Sequence, residues 1–135
     1  MSSKRQDPAC EWCGVAGCAE IFDRCLACEF SDPEFFAVHH LSVPAYGLQH
    51  GHYESEAAAA VATMMLEHIA TMPSAGATAS LRDRFGGRVR VRRRGGSATR
   101  LSDLPSIAAV DFSSAASYRA TVRTWAGAVA RSVLS

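Results

Sequence analysis

Apolar residues recur along this chain with the helical period in three places and alternate with period two in one. Residues 18–30 carry Ile21, Phe22, Cys25, Leu26 and Cys28 on one face, which predicts a first helix. Ser31-Asp-Pro-Glu34 then has the form of a capping box with proline in the first turn, and it opens a second helix over residues 33–51. A third helix is predicted over residues 56–72, capped by Ser55 and stopped by Pro73. Its stripe is Val61, Met64, Met65, His68, Ile69 and Met72, and we read it as adaptable core packing. Residues 88–92 alternate arginine and valine as a strand does, Gly95-Gly96 turns the chain, and residues 98–101 can pair back. The last helix, capped by Ser113 or Ser114, spaces Tyr118, Val122, Trp125, Val129 and Val133 along one side.

These elements predict a mainly α fold. It is a small bundle of about four helices with an N-terminal zinc knuckle and a minor two-stranded β-hairpin. One domain covers residues 1–135: a tail (1–9), the knuckle plus helical hairpin (10–53), the third helix (54–73), a linker and arginine-rich hairpin (74–105), and the C-terminal helix (113–134).

The candidate chemistry sits at the start of the first helix. Cys10 and Cys13 have the Cys-x2-Cys spacing that lets one tight turn supply two thiolates to zinc. Gly14 can take positive φ, so the turn can aim backbone N–H groups at the sulfurs, and Gly17 gives the same freedom before Cys18. The short connection makes the first two helices antiparallel neighbours, and folding them back sets Cys13 level with His50 and Cys18 level with Tyr46. The expected ligand set for Zn2+ is therefore Cys10, Cys13, Cys18 and His50. His39 is the substitute ligand. It shares a face with His50 but lies roughly 16 Å away along a straight helix, so it could join only if the helix broke sharply at Pro44. A four-cysteine site using Cys25 and Cys28 is a rival set, although mid-helix positions on the packing face suit core thiols better.

The same residues resemble a family of small bacterial proteins classed as a domain of unknown function. Its members look like Cys-x2-Cys-Gly, then a cysteine opening a helix, then His-x-Leu-x-Val-x2-Tyr-x-x-Gln-His. Here that pattern reads Cys10-Glu-Trp-Cys13-Gly14, Cys18, and His39-His-Leu-Ser-Val43-Pro-Ala-Tyr46-Gly-Leu-Gln49-His50. The chain departs from the pattern at Pro44 and Gly51. The resemblance implies a metal site and a bacterial origin and lends no activity.

Charge adds one further possibility. Residues 1–70 hold ten acids against three bases, whereas residues 71–135 hold eleven bases against three acids. Eight of the arginines fall between positions 82 and 100. Arg88, Arg90, Arg92, Arg93 and Arg94 could track a nucleic-acid backbone, but Phe85 is the one aromatic there, and base-stacking surfaces interleave several. A solvated basic face opposite the acidic half is the plainer account, and the same asymmetry could draw in an acidic protein partner or a second copy of the chain. The odd cysteine number favours metal over a disulfide framework. No apolar run approaches the ~20 residues that span a bilayer, and no apolar segment follows the basic start as in a signal peptide, so a cytoplasmic, membrane-free protein is expected.

The expected role is a small zinc-binding module with a structural metal, working by binding or regulation. A nucleic-acid-binding protein and a metal-dependent enzyme with an open zinc site are the alternatives. No catalytic constellation is visible.

Overall fold

A computed structural model of the chain describes residues 9–71 and 104–135. Five α-helices and one 3-10 turn make up the described elements: α1 (Cys18–Ser31), α2 (Pro33–Phe36), α3 (His39–Gln49), α4 (Ser55–Glu67), a 3-10 turn (Ile107–Ala109) and α5 (Ala115–Leu134). The described residues contain no strand, which corrects the expected minor β-hairpin. Residues 88–101, where that hairpin was placed, lie outside the described residues. Among the described residues, no helix is long and apolar enough to cross a membrane.

The expected second helix is two helices. Asp32, not Ser31, is the cap: its extended backbone stops α1, and its side chain accepts from the Glu34 N–H at 2.9 Å with Pro33 in the first helical position. Ser31 is the last residue of α1, and its hydroxyl donates to the Cys28 carbonyl. The break between α2 and α3 falls at Ala37–Val38 and not at Pro44, which sits inside α3. The break buries Val38 completely and carries His39 over Glu29 at the C-terminal end of α1.

The third helix ends five residues early, at Glu67 and not at residue 72. Its last turn is drawn to α3, where the His40 ring nitrogen Nε2 donates to the His68 carbonyl at 2.8 Å. A carbonyl bonded sideways to an imidazole no longer continues a helix. Ser114 caps α5 as expected, accepting from the Ser117 N–H. The expected stripe is the centre of the core: Tyr118, Val122, Trp125 and Val129 are wholly buried. They pack against α3 and α4, with Leu41, Ala45, Val61, Ala62 and Met65 opposite. Trp125 donates its indole N–H to the Gln49 carbonyl oxygen at 2.8 Å, and the Gln49 amide reaches the Pro105 carbonyl at 3.1 Å. A buried indole needs such a partner. The bond holds the C-terminal end of α3 against α5, and with it the residue that follows, His50.

Candidate metal centre

The knuckle forms where glycine permits it. Gly14 has φ 78° and its N–H donates to the Cys10 carbonyl at 2.8 Å, closing the turn that brings Cys10 and Cys13 together. The Trp12 N–H points at the Cys10 sulfur, 3.4 Å away. Gly17, at φ 71°, is the left-handed residue that starts α1 and puts Cys18 in its first turn.

α1 and α3 run antiparallel. Cys18 faces His50, Phe22 stacks on Tyr46 at 4.1 Å between ring centres, and Glu29 faces His39. The Cys18 sulfur lies 3.5 Å from His50 Nε2 and 3.7 Å from the Tyr46 hydroxyl. The four ligand atoms of Cys10, Cys13, Cys18 and His50 all lie within 4.8 Å of one another. Cys13, Cys18 and His50 are buried, and Cys10 is half-buried. Among the described residues no other group of three or more cysteine, histidine or acidic side chains converges in this way.

The geometry suits a cation of zinc's size. Tetrahedral zinc with bond lengths of ~2.3 Å to sulfur and ~2.0–2.1 Å to nitrogen has ligand–ligand edges of roughly 3.5–3.8 Å. The Cys18–His50 edge already has that length, and the wider pairs need to close by an ångström or less. His50 is oriented for the purpose: its Nδ1–H donates to the Tyr46 carbonyl at 2.7 Å, so the lone pair is on Nε2, facing the thiols. Burial holds its pKa below the usual histidine value, which keeps the ring neutral and able to ligate. Tyr46 lies flat against His50, 4.0 Å between ring centres, between it and Phe22.

Without a cation the three thiols cannot all ionise side by side. Burial works against the Cys10 thiolate, but the N–H groups of Cys13 and Trp12 and the neighbouring thiols outweigh it and hold Cys10 below its usual value. Burial, with hydrogen bonding to the Cys10 and Cys18 thiols and the charge of Cys18, pushes Cys13 up to about 12. A divalent cation reverses this balance by deprotonating every ligand it holds.

His39, the substitute ligand, is outside the cluster. It sits at the other end of α3, with its Nδ1 2.6 Å from Glu29. Cys25 is wholly buried in the core, where burial pushes its pKa to about 11, and Cys28 is half-buried. Arg88, Arg90, Arg92, Arg93 and Arg94 lie outside the described residues. Tyr46 stands against Cys18 as the folded-back register expected, but two participants escaped the sequence reading: Gln49 behind His50, and Glu29. Glu29 had a signal, since it lies one turn beyond Cys25 on the face that α1 buries.

The model of a family of unknown function, DUF5946, matches residues 8–133, nearly the whole chain, and the chain belongs to that family. No curated protein matches the chain significantly, and neither does any solved structure.

Proposed function

We propose that this member of the DUF5946 family is a small zinc-stapled helical module in which the metal is structural and the protein works by binding or regulation. The observation that carries the reading is the convergence of three thiols and one correctly oriented imidazole on a single point. Cys10, Cys13, Cys18 and His50 would hold the ion. Soft sulfur with one nitrogen is a donor set that zinc takes in closed tetrahedral sites. Four protein ligands leave no position for water, which separates this role from Lewis-acid catalysis. Bound there, zinc supplies a cross-link between residues 10–18 and the end of α3, adding to the Trp12 ring beside Gly51 and the Cys18 sulfur beside the Tyr46 hydroxyl. The chain between the linked positions includes all of α1 and α2, so the cross-link fixes the whole antiparallel pair.

The test is metal content of the purified protein with its thermal melt. One zinc per chain is expected, with a sharp loss in Cys10→Ser and His50→Ala, and a cobalt-substituted sample should show thiolate-rich tetrahedral absorption. Chelation should lower the melting temperature. A chelated protein with unchanged helicity and unchanged melting would refute the structural role.

A further inference from the structure

The three sulfurs of the metal centre do not draw on the same kind of hydrogen-bond donor. Cys10 and Cys13 lie in the knuckle and are served by backbone: the Trp12 N–H points at the Cys10 sulfur from 3.4 Å, and the Val15 N–H favours the Cys13 thiolate. Cys18 is the first residue of α1, and its sulfur meets side chains from the end of α3. These are His50 Nε2 at 3.5 Å and the Tyr46 hydroxyl at 3.7 Å. His50 Nε2 carries a lone pair because Nδ1 holds the ring proton, bonded to the Tyr46 carbonyl. Of these two neighbours, the phenol is therefore the one able to donate.

As a thiol, Cys18 can donate to the phenol or accept from it. A metal-bound sulfur is a thiolate with no proton to give, so around a held ion the phenol is the donor of the pair. The hydroxyl has no other partner among the described residues. Its ring is fixed on both faces. Phe22 stacks on one at 4.1 Å between centres and 6° between planes, and His50 lies against the ring at 4.0 Å. Tyr46 thus reaches two of the four ligands through two different atoms: its carbonyl accepts from His50 Nδ1 at 2.7 Å, and its hydroxyl faces Cys18. The site needs such donors, because three thiolates outweigh a divalent ion by one negative charge, and Cys13, Cys18 and His50 are buried.

We propose that Tyr46 is a positioning residue of the metal centre, its hydroxyl donating to the metal-bound thiolate of Cys18 and holding that sulfur where His50 faces it. The inference rests on the zinc-binding reading above and extends it from the ligands to the group behind one of them. It singles out Cys18, whose donor is a side chain that a point substitution removes, whereas the N–H groups beside Cys10 and Cys13 belong to the backbone. Tyr46→Phe separates the two contacts of this residue. It keeps the ring stack and the carbonyl that orients His50, and it deletes the O–H alone.

The experiment uses the full chain loaded with cobalt(II), whose thiolate-to-metal charge-transfer absorption reports on the sulfurs and whose visible bands report on geometry. A hydrogen bond draws electron density from sulfur and raises the charge-transfer energy. Tyr46→Phe should therefore move that band to longer wavelength while the visible bands keep their tetrahedral intensity. A 3-fluorotyrosine at position 46, a stronger donor of nearly the same shape, should move it to shorter wavelength. Zinc affinity of Tyr46→Phe, measured by competition with a chelating dye, should fall about tenfold or more. Phe22→Leu is the packing control: it removes the stack and keeps the hydroxyl, so it should lower the melting temperature and leave the charge-transfer band in place. The proposal is overturned if Tyr46→Phe matches the parent in band position and zinc affinity, if Phe22→Leu shifts the band as far as Tyr46→Phe does, or if the fluorinated residue shifts it in the same direction as phenylalanine. A parent chain that takes up no cobalt defeats the zinc reading and this inference together. One cobalt per parent chain, lost in Cys10→Ser, with Tyr46→Phe indistinguishable from the parent, defeats this inference alone.

Discussion

Gly51 ends α3 just after His50, and substituting it tests the fold-back on which the metal centre depends. Two separate features of Gly51 oppose a side chain. Its φ is 68°, in the left-handed region, and a Cβ there would come within 2.9 Å of the Trp12 ring. For Gly51→Ala the left-handed backbone costs about 1–2 kcal/mol. Reduced freedom of the unfolded chain returns about 0.5–1 kcal/mol of that, leaving a net cost near 1 kcal/mol. The collision is with the far edge of a half-buried indole, which can swing away at a cost of about 1 kcal/mol in lost packing. The sum is about 2 kcal/mol. With an unfolding entropy of about 2.1 cal/mol/K per residue, a chain of 135 residues loses about 3.5 °C per kcal/mol, so the melting temperature should fall by about 7 °C. The assay is a thermal melt of four zinc-loaded proteins: parent, Gly51→Ala, Trp12→Ala and the double variant. Removing Trp12 abolishes the collision but not the backbone strain. The glycine substitution should therefore cost about half as much in the Trp12→Ala background. A Gly51→Ala protein melting within 1–2 °C of the parent would show that the reversal after His50 is not built as described here. An undiminished cost in the double variant would show that Trp12 does not rest on Gly51.

Three further outcomes follow from the buried polar groups. Glu29→Gln leaves one carbonyl acceptor for two donors, His39 and Tyr118, and should destabilise by about 2 kcal/mol in a guanidinium titration; a change under about 0.5 kcal/mol would mean the pair is not buried and bonded as described. Trp125→Phe removes the indole bond to Gln49 together with buried ring volume, and should cost about 2–3 kcal/mol while lowering zinc affinity, because Gln49 adjoins His50; unaltered zinc affinity would separate the two. Burial holds the pKa of His40 below its ordinary 6.5, so the unfolded chain takes up protons that the folded chain does not. That stability is full above pH 6.5 and is lost as pH falls through the lower, folded value. The parent should therefore lose more melting temperature than His40→Gln between pH 7.5 and 5.5 at equal zinc, and equal losses would refute the assignment.

How much of this could be read from the sequence depended on whether local chemistry or long-range packing decided each element. Tyr118, Val122, Trp125 and Val129 recur with the period of a helix because one helix face is buried, and a serine cap has few alternatives, so α5 was legible almost to the residue. The Cys-x2-Cys turn with its glycine was legible for the same reason: the constraint is contained in five residues. The breaks were not. Nothing local marks Ala37–Val38, and α2 and α3 separate there because His39 is drawn onto Glu29, a contact between different helices. Pro44 gave a local signal for a break that α3 does not make, in keeping with the expected helix through it. Its ring and missing N–H permit a break, yet the buried positions around it, Leu41, Ala45 and Leu48, hold α3 together through it. α4 stops at Glu67 because His40, far away in the chain, bonds the His68 carbonyl. The β-hairpin followed from a period-two pattern of arginine and valine alone, and the described residues hold no strand to support it.

The two clusters share one cause. An antiparallel pair keeps a constant register, so whatever stands Cys18 opposite His50 must also stand Glu29 opposite His39, eleven residues along each helix. Eleven residues is three turns plus a fraction, which returns both helices to the same face. The spacing of two histidines, His39 and His50, is thus matched by the spacing of a thiol and a carboxyl group in α1, and each imidazole meets one of them. The environments then give them different work. At the cysteine end the second ring nitrogen of His50 is tied to a backbone carbonyl and the free one faces three sulfurs, which suits a closed metal site. At the other end Glu29 pairs with the Nδ1 of His39, whose ring packs against Phe36 and Phe30, which makes it a structural contact between helices. A metal bound at the cysteine end would hold the register that stands Glu29 opposite His39. On this view, loss of zinc should loosen the Glu29–His39 pair even though no metal ligand touches it.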